Sequence, residues 1–145
     1  MKKLSLKYRL FRFLFGIVLM FVGFKGLTDY SNIVSIMIKN NEQLKQKEVS
    51  EFILSSFGEY IFNIITSFLE IIVLNAADIV YFINGLILFG GLLCSFGHRI
   101  SKYFLFSAVL LDIALIHNIV FFSTDNGRGL MLKFIAYIGG ISYII

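Results

Sequence analysis

The 145 residues are 58% hydrophobic and 15% charged, with 17 Phe, no Trp, no Pro and a formal net charge of +4. A water-soluble domain of this size would leave too much apolar surface exposed, so the composition argues against an ordinary soluble enzyme and points to a membrane. The basic balance does not indicate nucleic acid, because Lys and Arg sit at the edges of the apolar runs, where lipid headgroups lie. A single cysteine, Cys94, excludes an internal disulfide and reads as a small core residue inside an apolar run.

Residues 1–12 carry Lys2, Lys3, Lys7, Arg9 and Arg12 and no acid. An apolar run follows, and the reading is an uncleaved first transmembrane helix over 10–28. A signal peptide is disfavoured because no small-residue cleavage site is present and Lys25 and Gly26 follow directly. The acid-free basic start also fits organelle import. The stretch 29–51 is strongly polar and reads as a polar loop, its centre, KNNEQLKQKE (39–48), being a solvated loop or exposed helix end.

Over 52–77 the residues Ser55, Glu59, Asn63, Thr66 and Glu70 share one helical face, while Phe57, Ile61, Ile64, Ile65, Phe68 and Ile72 cover much of the rest. A helix lying on lipid normally shows Lys or Arg on its polar face. An acidic seam of Glu59, Asn63, Thr66 and Glu70 instead suits a protein neighbour or an aqueous vestibule. A tilted spanning helix with this seam turned inward is the alternative.

The run IVYFINGLILFGGLLCSFG (79–97) has 19 uncharged residues, and as a helix it spans roughly 28 Å, about a bilayer core. Two further spans are expected over 103–122, interrupted by Asp112 and His117, and over 130–145. The short connections 98–102 and 123–128 make neighbouring spans antiparallel. The positive-inside rule puts the basic N-terminus on the same side as Arg99 and Lys102. That agrees with four crossings and with 52–77 lying along or dipping into the interface. The expected fold is an all-α, single-domain integral membrane four-helix bundle, with an additional amphipathic interfacial or re-entrant helix. With Pro absent, helix breaks must fall at Gly, Asn or Asp, and 75–78 is the expected break before the second span.

Chemistry-bearing patterns are sparse. The sequence holds no cysteine pair, no Ser–His–Asp order and no phosphate loop, and His98 and His117 are expected at opposite ends of the bundle, too far apart to share a metal or haem. The expectation is therefore a non-enzyme without cofactor or metal, associated with phospholipids. Gly16, Gly23, Gly85, Gly90, Gly91, Gly139 and Gly140 read as packing devices that let helices approach closely. Asp112 stands near the middle of its span, where an ionised carboxylate costs about 2.5–3.5 kcal/mol on insertion scales. The proposed topology brings Lys25, His117, Asn118 and Lys133 toward the same membrane face. Together with Asp112 they form either a structural salt-bridge layer or a quinone-headgroup, lipid-headgroup or proton site.

The segments YRLFRFLFGIVLMFVGFKGLTDYSNI (8–33), INGLILFGGLLCSFGHRISKYFLFSAVLLDIALIHN (83–118) and LKFIAYIGGISYI (132–144) stand in an order that resembles the DoxX-like family of small four-helix membrane proteins. The likeness lies in an Arg before a Gly-containing helix, then Gly-x-Lys and Asp, a basic turn between the second and third helices, a His ending the third, and a closing Leu-Lys…Gly-Gly helix. Asn84 stands where that pattern often has Glu, Phe134 where it has Asn, and 34–75 is longer than expected. The resemblance implies a four-helix fold. It also implies a function among subunits of thiosulfate–quinone and other redox complexes or related eukaryotic endoplasmic-reticulum cargo receptors.

Two functional classes follow. One is an accessory, non-catalytic subunit of a larger membrane assembly, with other membrane subunits and lipids as partners. The Ile-, Phe-, Asn- and Lys-rich composition suits an AT-rich genome, and a mitochondrial inner-membrane respiratory complex is the favoured setting. The bacterial plasma membrane and the endoplasmic reticulum are the alternatives. The other class is a DoxX-like, quinone-associated redox partner or a small transport or cargo protein.

Overall fold

In a computed structural model, residues 6–43, 47–117 and 125–144 are described, and all regular structure among them is helical. Six α-helices follow in order: α1 (Leu6–Thr28), α2 (Tyr30–Gln43), α3 (Lys47–Leu74), α4 (Ala76–Phe96), α5 (Ser101–Leu111) and α6 (Asp125–Ile144). A π-helical turn, Asp112–His117, directly continues α5. Two of these helices, α1 and α4, are long and apolar enough to cross a membrane.

The breaks fall on the residue types expected in a Pro-free chain. Asp29 separates α1 from α2, yet its N–H still bonds Lys25 O at 2.9 Å and its carbonyl accepts from Ile33 N at 3.3 Å. Asn75 separates α3 from α4 in the same manner, inside the 75–78 window. Gly58 kinks α3 with φ 80°, a conformation that costs a residue with a Cβ but not glycine. Gly97 closes α4 at φ 82°, and its N–H bonds Cys94 O while His98 N–H bonds Leu93 O. These two bonds satisfy carbonyls left open at the helix end.

The central packing is α1 against an antiparallel α4. A Cβ on Gly23 would meet Leu88 N at 2.6 Å and Asn84 O at 2.9 Å, and one on Gly91 would meet Gly16 O at 2.8 Å. The two backbones are in contact, so only residues without side chains fit the seam. Gly90 packs under Leu105 of α5, and Gly140 of α6 lies beneath the Phe15 ring. Gly85 and Gly139 have no described atom where a Cβ would sit, so close helix approach does not explain them.

Two clusters form the interior. Leu19, Cys94, Leu105, Val109, Phe134 and Ile141 join α1, α4, α5 and α6. Met37, Ile72, Ala76, Val80, Ile83 and Ile116 join α2, the end of α3, α4 and the π-helical turn.

The second cluster corrects the reading of 29–51 as a polar loop. Ile33, Val34, Met37, Ile38 and Asn41 recur at helical spacing and give α2 a face that packs inward. The polar average of the segment hid this stripe. The expected 52–77 helix begins at Lys47. The expected third span is a regular helix only as far as Leu111, where the π-helical turn takes over. Residues 118–122 of that span lie outside the described residues.

Candidate functional site

At the end of the bundle where α1 finishes, the helices line a half-open cavity of about 440 Å³, within the usual ~300–1,000 Å³ range of small-molecule sites. Its walls come from Leu19, Val22, Ile87, Leu105, Val109 and Ile141. Its polar groups fall into two sets. Lys25, Asp29 and Asn32 are exposed at the mouth. Asn84, Asp112, His117 and Tyr137 stand further in, with Phe134 beside them.

The inner set depends on the π-helical turn. On an α-helix, residues five apart point about 140° away from each other. A π-turn closes bonds from i to i+5 and stacks such residues on one side. Asp112 and His117 are five apart, and His117 Nε2 lies 3.8 Å from Asp112 Oδ1, with 24% and 23% of their side-chain surfaces exposed. That separation is an ion-pair contact when the imidazole is protonated, and it is wider than a direct hydrogen bond. The His117 ring also meets the Phe134 ring edge-on, with centroids 5.6 Å apart and planes at 61°.

Two amides of α2 hold the turn. Asn40 Nδ2 donates to Ile116 O at 2.9 Å, and Asn41 Nδ2 donates both to Leu115 O at 2.9 Å and to Met37 O at 2.8 Å. Asn41 is 1% exposed, and both N–H bonds of its amide are used. Such satisfaction is required of a buried amide. Asn84 follows the same rule: its Nδ2 bonds Val80 O at 2.9 Å, and its amide lies against Gly26, where any side chain would overlap it.

Of the residues singled out in the sequence, the cavity gathers Lys25, Asp112 and His117. Asn118 and the Lys133 side chain lie outside the described residues. His98 stands in the turn after Gly97, next to the position where Arg12 packs. The thirteen residues from Arg12 to Lys25 along α1 put about 20 Å between this end and the cavity. Among the described residues no group of three or more His, Cys, Asp and Glu could hold a metal ion.

Asp29, Asn32, Asn84 and Tyr137 line the cavity without having been assigned to a polar site in the sequence, and Asn40 and Asn41 support it from behind. Asn84 was legible as the one strong amide within an uncharged apolar run. Asn41 was legible only through the stripe it shares with Met37.

The acidic seam lies elsewhere. Glu59, Asn63 and Glu70 are exposed on α3, and Thr66 is half-buried, with its hydroxyl donating to Phe62 O and Asn63 O at 3.0 Å each. Leu69 and Ile72 anchor this helix to the rest, while Ile64, Phe68 and Ile71 are exposed. No family model matches the chain, and no curated protein or solved structure matches it either.

Proposed function

We propose that this chain is an integral membrane protein of four crossings that serves as an accessory, non-catalytic subunit of a larger membrane assembly, in a mitochondrial respiratory complex. The observation that carries the reading is α3. It runs for 28 residues, buries Leu69 and Ile72, and leaves both an acidic seam and a row of large apolar side chains uncovered. Helices gain most of their stability from packing one face against something else. Fully burying a side chain of the size of Ile or Phe is worth about 1.5–3 kcal/mol. A neighbouring subunit with a basic or amide-bearing helix would cover the seam and the apolar row together.

The membrane part of the proposal is supported by α1. That helix buries only Gly16, Leu19, Gly23 and Gly26 and turns Leu10, Leu14, Val18, Phe21 and Phe24 outward. An apolar face of this extent fits lipid or other membrane helices. In this reading α3 lies along or dips into the interface. Phospholipids are its companions, and it carries no cofactor.

The test is migration of the native protein in mild detergent, with the co-migrating chains identified. The expected result is a large complex that is depleted when the gene is deleted. Migration alone or as a small homo-oligomer, with no larger complex disturbed, sinks the proposal.

The cavity favours a second reading: a small DoxX-like membrane protein that handles a redox or transported small molecule beside a separate enzyme. Asn84 and Phe134, the two positions noted as departing from the DoxX-like pattern, both line this cavity. The chemistry of such a site would therefore differ from that of the family it resembles.

A further inference from the structure

We infer that the cavity between α1, α2, α4, the π-helical turn and α6 binds an organic ammonium group attached to an apolar body, with the ammonium set against Asp112. The inner wall combines one carboxylate, Asp112, with the aromatic rings of Phe134, Tyr137 and His117. An ammonium ion is attracted both to a carboxylate and to the faces of aromatic rings, and more strongly where water is excluded. Asn84 and Tyr137 line the same cavity, and each carries an oxygen of the type that accepts N–H bonds. The aliphatic walls of Leu19, Ile87, Leu105 and Val109 receive the apolar body of a free amine.

The mouth adds a second element. Lys25 stands there with Asp29 and Asn32, all exposed. In an aminophospholipid the phosphate lies between the ammonium and the acyl chains, so with the ammonium at Asp112 the phosphate stands toward the mouth, where Lys25 is, and the chains remain outside the cavity. The site thus accepts a free organic amine or the zwitterionic headgroup of an aminophospholipid, and the ammonium is the chemistry they share. Among the described residues, Lys25, Asp29, Asp112, His117 and Tyr137 are the titratable groups lining the cavity. A protonated His117, 3.8 Å from Asp112, would compete with the ligand for the same carboxylate.

Two features show a built site. The π-helical turn places Asp112 and His117 on one side of the helix, and the buried Asn41 amide and its neighbour Asn40 hold two of its carbonyls. Such turns occur often at functional sites. The aminophospholipid form of the inference rests on the membrane reading above. It is independent of the subunit role, which native migration tests separately.

The experiment is native mass spectrometry of the full chain released from micelles. Four probes are used: dioctanoyl phosphatidylethanolamine, its N-acetylated counterpart, dioctanoyl phosphatidylglycerol and phenethylammonium. The expected result is a saturable one-to-one adduct with the ethanolamine lipid, weakened about tenfold or more by N-acetylation and by Asp112→Asn. Phe134→Leu weakens it about threefold, and Arg99→Gln, at the other end of the bundle, leaves it unchanged. Adducts with phenethylammonium but not with the lipid assign the site to a free amine, and this also supports the inference. Equal binding of the acetylated lipid, or no adduct with either amine, overturns it. The probe series on the unmodified chain decides the matter even if Asp112→Asn fails to fold.

Discussion

Asn41 of α2 donates its side-chain amide to the carbonyl of Leu115, 2.9 Å away and 74 residues later in the chain. This bond ties a segment with the polarity of a surface loop to the π-helical turn. The same amide donates to Met37 O, so the residue is saturated as a donor at 1% exposure. The π-helical turn, and with it the Asp112–His117 pair, is held from the side by α2.

Asn41→Leu is accordingly expected to destabilise the fold by about 1–3 kcal/mol, because the part-buried Leu115 carbonyl loses a partner. Thermal unfolding in mild detergent measures this. The same change at Asn32, which is exposed at the cavity mouth, is expected to shift the midpoint far less. Equal shifts for both would mean that the α2 amides do not hold the turn.

The glycine seam makes a sharper contrast. At Gly23 a methyl group would press on the backbone of α4, at Leu88 N, and backbone cannot swing aside as a side-chain tip can. Gly23→Ala is expected to cost about 1–3 kcal/mol. Gly85→Ala, in the middle of α4 with open space at the Cβ position, is expected to be neutral or to stabilise by up to about 1 kcal/mol through helix propensity. Denaturation of the two variants side by side checks both signs.

Sidedness follows from the four-crossing proposal. In a Cys94→Ala background, single cysteines at Lys3, Lys45 and Arg99 should label so that positions 3 and 99 react from one side of the membrane and position 45 from the other. Labelling of 3 and 99 from opposite sides would mean that α3 crosses the bilayer.

Asp112 separates structure from chemistry. If it serves only a structural layer, Asp112→Asn should assemble normally, because the amide still forms hydrogen bonds. Asp112→Leu should then lower the yield of assembled protein, since the polar groups beside it lose a partner in a low-dielectric site. If the cavity binds an ammonium, the Asn variant assembles and loses the ligand. Comparing complex yield with ligand adducts for both variants distinguishes the two roles.

The all-helical class was written in the sequence, because an apolar chain without Pro and with scattered Gly leaves little else available. The break at 75–78 was legible too, and Asp29, Gly58 and Gly97 are of the residue types that interrupt helices in a Pro-free chain, but the kink at Gly58 falls inside a stretch that reads as one continuous helix over 52–77. Gly16, Gly23 and Gly91 read in the sequence as positions where helices could come close, but which helices meet there, α1 and α4, is a matter of the tertiary structure. Nothing in the sequence distinguished Gly85 and Gly139 from these, because a glycine that faces open space is spelled the same way.

Tertiary structure decided the cavity. Five-residue spacing puts Asp112 and His117 on different faces of an ordinary helix, and only a π-turn brings them together at 3.8 Å. That turn in turn bonds amides from α2, whose inward stripe is masked in the sequence by the polar residues around it. Periodicity along one segment reports which face is apolar, but not which distant carbonyl that face will meet. The identity of the partner is fixed only when the two helices dock.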